Sequence, residues 1–443
     1  MPDPERFKTL MAEETGQSAT FSLRGISLDS REVQAGDLFV AIRGEHADGH
    51  DFLDEAVRRG AAAAMVTEAR PAAGLFQIVV DDPTATLGHL ARDWRKNFDL
   101  PIIGITGSNG KTTTKDLLVH TFSARHTVHG TRGNYNTRLG LPLTLLELTS
   151  YHTLSILEMG ANQRGDIGYL CTLSFPQHGL ITNIAPTHLT GFGSMESITR
   201  AKGELFESLP PDGIAFVNAD DDRIRTLPTP SKKVTFGFEG PADFSGELDR
   251  DEEGRYVLTV KGHRLALNSF NRIFAANALA ACAVTVTLGI PWESLQESLV
   301  TFSPTEGRCT VKTHGTITII DDTYNANLTS ALAAVDFLFS LPGNRRRVVV
   351  FADMLELGNR SKSHHKQVGM ALASAGVDLL LCFGPESRTT AEAAASRIDS
   401  RHFDSKKDLS AALKNEIRNG DVILFKGSRG MALETVINDL FGR

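Results

Sequence analysis

Residues 104–115 read GITGSNGKTTTK, and this stretch decides the fold class of the protein. An apolar run, PIIGITG, is broken by a glycine-rich turn, and a helical segment follows from Lys111. Glycines let backbone N–H groups crowd around an anion, and the positive end of a helix dipole favours the same charge. The order of strand, turn, Lys-Thr pair and helix therefore predicts a loop that binds phosphate.

This loop differs from the common phosphate-binding pattern G-x-x-x-x-G-K-[ST], which places its first glycine six residues before the lysine. Ile105 occupies that position here. We expect Lys111 to reach the β- and γ-phosphates of a nucleotide and Thr112 to offer its hydroxyl to Mg²⁺. The glycines of the loop are Gly104, Gly107 and Gly110.

Composition excludes several classes of protein. The 443-residue chain is 41% apolar, 22% charged and carries a formal net charge of −7, so we expect no nucleic-acid partner. The most apolar long run, at 274–290, is interrupted by Asn277, Thr285 and Thr287, which favours a buried helix over a membrane span. The N-terminal MPDPERFKTL lacks the apolar core of a secretory signal, so we expect a cytoplasmic protein.

The cysteines support a reducing environment. They are widely separated, lie in apolar contexts and form no C-x-x-C pair, which argues against a thiolate zinc site. Each is expected to be a small core residue rather than a nucleophile. The four positions are Cys171, Cys282, Cys309 and Cys382.

Alternating strand and helix patterns predict an α/β protein with mostly parallel sheets covered on both faces. A small mixed α/β N-terminal domain is expected over 1–83, and a central phosphate-loop domain over 84–307. A C-terminal Rossmann-like domain is expected over 308–443. Residues 246–267 alternate apolar and polar side chains, which predicts a solvent-facing antiparallel pair of strands.

Three residues of the central domain are candidates for the chemistry. Glu158 ends the predicted strand TLSILEM and could hold Mg²⁺, or it could be a surface acid without a metal. His188 follows the strand GLITNI and could be a ligand, although a lone histidine is more often a hydrogen-bonded structural residue. Lys202 lies on a predicted helix and, taken alone, is typical of a solvated helix face.

Polar clusters in the other two domains are further candidates. Asp322, Tyr324 and Asn325 follow a predicted strand and could bind a nucleotide, or they could form a simple polar turn. The N-terminal stretch 29–52 contains arginines suited to a diphosphate, although an ordinary polar loop fits the spacing equally well. Its candidate residues are Ser30, Arg31, Arg43, Asp48 and His50.

With these stretches assembled, the chain resembles the Mur ligases, the ATP-dependent peptide ligases of bacterial cell-wall synthesis. TGSNGKTTTK at 106–115 is similar to their variant phosphate loop, and EMGANQRGDI at 158–167 and NIAPTHLTGFGS at 183–194 are similar to their metal-site segments. AKGELF at 201–206 resembles the segment whose lysine becomes carbamylated. Further matching stretches are DSREVQAGDLFVAIRGEHADGHDF, GNYNTRLGLPLTLL, FAANALAA, EGR, DDTYNAN, ADMLELG and KGSRGM.

Within that family, DDTYNAN and DMLELG resemble the member that adds D-alanyl-D-alanine to a UDP-N-acetylmuramoyl-tripeptide. The D-Y-A-H-x-P and D-N-P-R stretches of the ligase that adds a diamino acid are missing. Two positions depart from the usual pattern, because Leu328 replaces a proline and Ala352 replaces a glycine. The alternatives are the diamino-acid ligase and a nucleotide-binding switch without ligase activity.

The resemblance implies a role for each candidate residue. Lys111, Lys202, His188 and Glu158 would be catalytic, with ATP and Mg²⁺ as cofactors, and a carbamylated Lys202 would be a metal ligand beside Thr112, Glu158 and His188. The implied UDP-substrate residues are Ser30, Arg31, Arg43, Asp48, His50, Asn134 and Asn136. The implied ATP-binding residues are Gly107, Ser108, Asn109, Gly110, Lys111, Thr112, Thr113, Asn277, Arg308, Asp322, Tyr324 and Asn325. We also expect a monomer that closes its third domain onto the second.

Overall fold

The structure is a computed structural model that describes residues 3–18, 21–44, 47–71, 74–187 and 189–442. The described chain forms three α/β units in sequence, each built around its own sheet. Within these residues, no helix combines the length and the apolar character that a membrane crossing requires. The predicted site residue His188 lies outside the described residues.

The first unit is a parallel sheet with strand order β1-β2-β3-β4. Its last helix begins at Pro83. The carboxylate of Asp82 accepts hydrogen bonds from the backbone N–H groups of Thr84 and Ala85 in the first turn of this helix. Asp and Pro at these two positions are a favoured start for a helix. The elements are α1 Pro4–Thr15, β1 Gly25–Ser27, β2 Asp37–Val40, α2 Leu53–Arg58, β3 Ala63–Val66, β4 Phe76–Val79 and α3 Pro83–Arg95.

The second unit contains a larger mixed sheet and the predicted phosphate loop. Its strands are β5 Ile102–Thr106, β6 Val128–Gly130, β7 Leu154–Glu158, β8 His178–Ile181, β9 Ile214–Asn218, β10 Lys232–Gly237, β11 Phe244–Arg250, β12 Tyr256–Val260 and β13 His263–Ala266. Its helices are α4 Lys111–Phe122, α5 Gly140–Leu146, α6 Asp166–Ser174, α7 Leu189–Phe192, α8 Met195–Glu207, α9 Asp222–Arg225, α10 Arg272–Thr287 and α11 Trp292–Thr301.

The strand order in this sheet is β13-β12-β11-β10-β9-β8-β5-β7-β6. All neighbouring strands from β11 to β6 in this order are parallel. Strand β5 lies between β7 and β8. The chain therefore leaves these three central strands at the same edge of the sheet. Ligands bind at such carboxyl edges in open α/β sheets, so this topology brings the loops that follow β5, β7 and β8 together.

The third unit is a sheet of order β14-β15-β19-β16-β17-β18, parallel except for the antiparallel edge strand β14. Helices cover both faces of its apolar central strands. The elements are β14 Thr310–His314, β15 Ile317–Asp322, α12 Leu328–Ser340, β16 Arg347–Ala352, α13 Ser361–Ala375, β17 Leu379–Phe383, α14 Arg388–Ala394, β18 Asp399–Phe403, α15 Lys406–Glu416, β19 Val422–Lys426 and α16 Glu434–Phe441.

The predicted α/β class is confirmed, with sheets dominated by parallel pairs. The prediction of an antiparallel pair over 246–267 was incomplete, because β11, β12 and β13 form a meander of three strands within this segment. Strands β14 and β18 were not predicted. Both are edge strands of mostly polar residues, exposed in β14 and exposed or partly buried in β18, so neither carries the apolar signal of a buried strand.

Candidate active site

The phosphate loop is shaped by two glycines that no other residue could replace without strain. Gly107 has φ 151° and Gly110 has φ 80°. A Cβ atom on Gly107 would lie 1.9 Å from Thr182 Oγ1, and one on Gly110 would lie 2.5 Å from Asn277 Oδ1. Gly110 is also the N-cap of α4 and supplies no side chain there, so the first backbone N–H groups of the helix remain available to an anion.

The loop is held in this shape by the segment that follows β8. The backbone N–H of Ser108 donates to the carbonyl oxygen of Asn183 at 2.9 Å, and the Ser108 hydroxyl donates to the carbonyl oxygen of Ala185 at 2.8 Å. The backbone N–H of Asn109 donates to Asn183 Oδ1 at 3.0 Å. Asn183 and Ala185 therefore preorganise the loop, a role that the sequence motif NIAPTH did not reveal.

Two lysines converge on one backbone oxygen of this loop. Lys111 Nζ and Lys202 Nζ each donate to the carbonyl oxygen of Gly107 at 2.9 Å. Lys202 is 4% exposed, and burial together with the nearby Lys111 lowers its pKa well below the usual lysine value. Burial also lowers the pKa of Lys111, although the Glu158 carboxylate opposes this shift. The sequence pattern alone was typical of a solvated lysine at position 202. In the structure, Lys202 is instead a buried amine beside the phosphate loop.

Glu158 faces the start of α4 from the end of β7. Its Oε2 atom accepts a hydrogen bond from the hydroxyl of Thr112 at 2.6 Å, and its Oε1 atom accepts one from Asn136 Nδ2 at 2.7 Å. The carboxylate is buried. A hydroxyl and a carboxylate in contact are the oxygen donors that Mg²⁺ prefers, so Thr112 and Glu158 fit a magnesium site. Asn136, predicted for the UDP substrate, orients Glu158 in this structure.

The third unit contributes an arginine stacked on a tyrosine. The guanidinium carbon of Arg308 lies 3.9 Å from the centroid of the Tyr324 ring. The backbone N–H of Tyr324 donates to the carbonyl oxygen of Gly307 at 3.0 Å, which fixes the ring beside the chain that enters this unit. Among the described residues, Arg308 Nε is buried without a hydrogen-bond partner. Arg308 therefore presents a buried donor and a cationic plane next to the phosphate loop.

Asp322 is paired with a lysine that was not predicted as a site residue. Lys426, at the end of β19, is 2% exposed, and its Nζ atom lies 2.7 Å from Asp322 Oδ2. The same Nζ atom donates to the carbonyl oxygen of Asn325 at 2.6 Å. The motif KGSRGM contained this lysine, but only the pairing of β15 with β19 brings it to Asp322.

These groups line a cleft of about 410 Å³ between the second and third units. Every predicted ATP-binding residue contributes to its wall, as do Glu158, Lys202 and the two predicted UDP-substrate residues of the second unit. The predicted residues in the wall are Gly107, Ser108, Asn109, Gly110, Lys111, Thr112, Thr113, Asn134, Asn136, Glu158, Lys202, Asn277, Arg308, Asp322, Tyr324 and Asn325. The fold thus collects residues that are more than 300 positions apart in sequence, from Gly107 to Lys426.

The predicted substrate residues of the first unit are outside this cleft and are engaged with neighbours in their own unit. Arg31 pairs with Asp29, and the Ser30 hydroxyl donates to Glu55 Oε2 at 3.1 Å. Arg43 pairs with Asp48 and Glu68.

His50 is buried, with Nδ1 2.6 Å from Asp48 Oδ1 and with Nε2 accepting from the backbone N–H of Thr67 at 3.0 Å. His50 and Asp48 therefore brace the loop in which they lie.

The metal-site prediction included His188, which is not among the described residues. Within the described ranges, no group of three or more His, Cys, Asp or Glu side chains is arranged to hold a metal ion. Among the described residues, the Thr112 hydroxyl and the Glu158 carboxylate are thus the candidate protein ligands for a metal ion. A hydroxyl, a carboxylate and solvent or phosphate oxygens suit Mg²⁺, which keeps several non-protein ligands in nucleotide sites.

Comparison with known proteins identifies the family. Sequence models of the Mur ligase family match all three units: the catalytic domain over 22–95, the middle domain over 105–285 and the glutamate ligase domain over 307–429. A UDP-N-acetylmuramoyl-tripeptide–D-alanyl-D-alanine ligase of Synechocystis is 38% identical over 96% of this chain and 94% of its own length. The chain belongs to the Mur ligase family. The resemblance carried by the sequence motifs is confirmed.

Other members of the family agree over nearly the full length. The UDP-N-acetylmuramoyl-tripeptide–D-alanyl-D-alanine ligase of Escherichia coli is 35% identical, covering 96% of this chain and 95% of its own. The crystal structure of MurF from Acinetobacter baumannii superimposes with a TM-score of 0.88 at 31% identity, covering 98% of both chains.

The MurF ligase of Thermotoga maritima, solved in complex with ADP, has a TM-score of 0.83 at 32% identity and covers 95% of this chain and 97% of its own.

Proposed function

We propose that this protein is an ATP-dependent ligase that joins D-alanyl-D-alanine to UDP-N-acetylmuramoyl-tripeptide during the synthesis of peptidoglycan precursors. The observation that carries the proposal is the cleft between the second and third units. It unites a phosphate loop, two buried lysines, the Thr112–Glu158 pair and the Arg308–Tyr324 stack. The two relatives named for this reaction from Synechocystis and Escherichia coli share 38% and 35% identity with the chain over nearly its whole length.

The chemistry requires activation of a poor electrophile. In the proposed reaction, the terminal carboxylate of the tripeptide attacks the γ-phosphate of ATP, which forms an acyl phosphate and releases ADP. The amine of D-alanyl-D-alanine then attacks the acyl carbon, and the tetrahedral intermediate collapses to the amide and inorganic phosphate. Two anions must meet in the first step, so positioning and cationic stabilisation supply most of the acceleration.

The residues of the second unit suit the first step. Backbone N–H groups at the start of α4 would bind the phosphates, and Lys111 would neutralise charge on the β- and γ-phosphates. When ATP binds, Lys111 Nζ can exchange its hydrogen bond to the carbonyl oxygen of Gly107 for phosphate oxygens. Asn277, which lies against Gly110, and Arg308 with Tyr324 would hold the nucleoside.

Thr112 and Glu158 would hold a Mg²⁺ ion, with His188 a further proposed ligand. When bound, Mg²⁺ would neutralise negative charge on the phosphates. Lys202 is a candidate for carbamylation, because a buried lysine with a lowered pKa has a neutral, nucleophilic amine that can add to CO₂. The resulting carbamate would present oxygen atoms in place of a cation, and oxygen is the donor that a hard metal prefers.

The remaining assignments concern substrates and context. We propose that the first unit binds the uridine nucleotide through Ser30, Arg31, Arg43, Asp48 and His50, and that the third unit binds the dipeptide. We further propose that the enzyme is a monomer. The free state of all four cysteines supports a cytoplasmic location.

One coupled assay tests this function. Purified protein is supplied with ATP, Mg²⁺, each UDP-tripeptide and D-alanyl-D-alanine, and phosphate release and the ligated product are measured. We expect product only when both substrates are present. In a parallel reaction, UDP-N-acetylmuramoyl-dipeptide and a free diamino acid replace the two substrates, and product there would indicate the diamino-acid ligase. Nucleotide hydrolysis independent of all these substrates would indicate a switch.

Lys111→Ala provides the matched test of the phosphate loop. Removal of a charge-stabilising donor typically lowers kcat by roughly 100- to 1000-fold, so we expect phosphate release to fall by at least that factor. Lys366→Ala, an exposed lysine on α13, is the control and should retain normal turnover. Near-normal turnover by Lys111→Ala would contradict the proposed role of the loop.

A further inference from the structure

The phosphate loop is connected to the third unit by a direct hydrogen bond between two asparagine side chains. Asn327 Nδ2 donates to Asn109 Oδ1 at 2.7 Å. Asn109 belongs to the phosphate loop, whereas Asn327 lies 218 residues later, at the N-cap of α12. Both side chains contribute to the wall of the cleft. The bond thus joins the phosphate loop of the second unit to the third unit.

The orientation of the Asn327 side chain is determined by the helix that it caps. Asn327 Oδ1 accepts a hydrogen bond from the backbone N–H of Ser330 at 2.9 Å, and the Ser330 hydroxyl accepts one from the backbone N–H of Asn327 at 3.0 Å. This reciprocal capping box uses the amide oxygen as an acceptor. The amide nitrogen of Asn327 must therefore point away from the helix, toward Asn109.

The orientation of the Asn327 amide also determines the orientation of the Asn109 amide. Because the partner group of Asn327 is a donor, Asn109 must present its own amide oxygen to it. The amide nitrogen of Asn109 then faces the other way, and it is buried without a hydrogen-bond partner among the described residues. An amide N–H group without a protein partner can donate to an acceptor that binds beside it. Since Asn109 lies in the phosphate loop and lines the cleft, phosphate oxygen atoms are acceptors of suitable chemistry.

We propose that Asn327 is a positioning residue, which turns the amide nitrogen of Asn109 toward the β- and γ-phosphates of ATP when the third unit lies against the second. This inference rests on the proposed function, because it assumes that the cleft binds ATP. Asn327 would then have two roles, since it caps α12 and also orients Asn109. It also explains how the position of the third unit is communicated to the phosphate loop, since separation of the units breaks the Asn109–Asn327 bond.

Nucleotide binding tests the proposal without requiring catalysis. Asn327→Asp and Asn327→Ser both keep an oxygen that can cap α12, but neither keeps the amide donor. We expect the Kd of a non-hydrolysable ATP analogue, measured by calorimetry, to rise about tenfold in both variants. The Kd of AMP should change less than twofold, because AMP lacks the β- and γ-phosphates. Agreement between the neutral serine and the charged aspartate excludes simple charge repulsion as the cause.

A double-mutant cycle separates positioning from a purely structural role. If Asn327 acts through Asn109, Asn327→Ser should have little further effect on the affinity of the ATP analogue in an Asn109→Ala background. Ser405→Ala removes the N-cap of α15, in the same unit but outside the cleft, and should lower Tm without changing either Kd. Additive effects of the two asparagine substitutions, or equal losses for ATP analogue and AMP, would overturn the proposal.

The proposed function can fail independently of this inference. If the ATP analogue binds normally and depends on Asn327 as expected, but no ligated product forms, the reaction is wrong and the positioning role stands. If ligation proceeds and the Asn327 variants bind the ATP analogue as tightly as the wild-type protein does, the proposed positioning role of Asn327 is wrong.

Discussion

Lys111 and Lys202, which lie 91 residues apart in sequence, donate to the same acceptor, the carbonyl oxygen of Gly107, at 2.9 Å each. Two ammonium groups that share one oxygen repel each other, and burial adds a desolvation cost for the charged form. Both effects lower the pKa of Lys202. The folded state therefore carries an electrostatic free-energy cost at these two lysines, and binding of an anion in the cleft can offset it.

Replacing Lys202 by methionine should stabilise the protein and inactivate it. In CO₂-free buffer, the unfolded chain binds more protons than the folded one between the lowered pKa of Lys202 and its ordinary value, so the stability of the unchanged protein rises with pH across that window. Lys202→Met removes this dependence, and its advantage should be greatest at the acidic end. Urea unfolding across the pH range measures the effect.

Activity provides the second part of the Lys202 test. Lys202→Ala should lower ligase turnover by roughly 100-fold or more, the scale expected for a lost electrostatic contact. Added short carboxylates should restore part of it if a carbamate normally supplies the oxygen atoms. The exposed Lys366→Met is the control and should alter neither stability nor turnover. An unmodified Lys202 in an active, substrate-loaded crystal would contradict carbamylation.

Gly110→Ala should disrupt nucleotide binding beyond its effect on stability. The left-handed backbone at Gly110 disfavours alanine by roughly 1–2 kcal/mol, and the new methyl group would collide with Asn277 Oδ1. Gly262→Ala is a matched control, because Gly262 has the same φ of 80° and no atom within 4 Å of an added Cβ. Both variants should lose stability in chemical denaturation, but only Gly110→Ala should lose ATP affinity.

The buried ion pair between Lys426 and Asp322 should be costly to break from one side. Lys426→Met leaves the Asp322 carboxylate without its cation, and loss of one partner from a buried pair typically costs roughly 3–5 kcal/mol. Lys426→Met with Asp322→Asn should recover much of that stability. Lys312→Met, which breaks the exposed pair with Glu306, should cost at most about 1 kcal/mol. Equal losses for the two single variants in urea melts would contradict this assignment.

His129 should contribute to acid sensitivity. Burial lowers its pKa to about 4, and its ring atoms contact Ser155 Oγ and the carbonyl oxygen of Thr144. The unfolded chain binds the extra proton between pH 6.5 and about 4, so stability falls as pH drops through that window, by roughly 3 kcal/mol in all. His129→Gln should show a smaller fall between pH 7 and pH 4, whereas His314→Gln, at an exposed position, should leave it unchanged.

Much of the fold was predictable because local patterns are strong in its core. Strands such as β5 and β16 are mostly apolar runs, and the glycines between β5 and α4 mark a turn. Edge strands β14 and β18 escaped prediction, since their polar residues pair through the backbone and bury little side-chain surface. The limits of β12 and β13 likewise depend on a tight turn at Lys261 and Gly262.

The candidate site was predictable only in part. Lys111 and Thr112 belong to a continuous motif whose geometry is local. Lys426 and Asn327 gain their roles from partners about 100 and 218 residues away, and local patterns contain no information about such partners.

The sequence by itself determined the α/β class, the family and the phosphate loop, because these depend on short-range periodicity and on contiguous motifs. The tertiary structure alone decided that Lys202 is a buried amine beside Lys111, that Asp322 faces Lys426, and that Asn327 constrains Asn109. The physical reason is that these contacts join residues distant in sequence. Pairing of β15 with β19 brings Lys426 to Asp322, and the packing of the third unit against the second brings Asn327 to Asn109. Burial and hydrogen bonding then change the chemistry of residues that are ordinary in sequence.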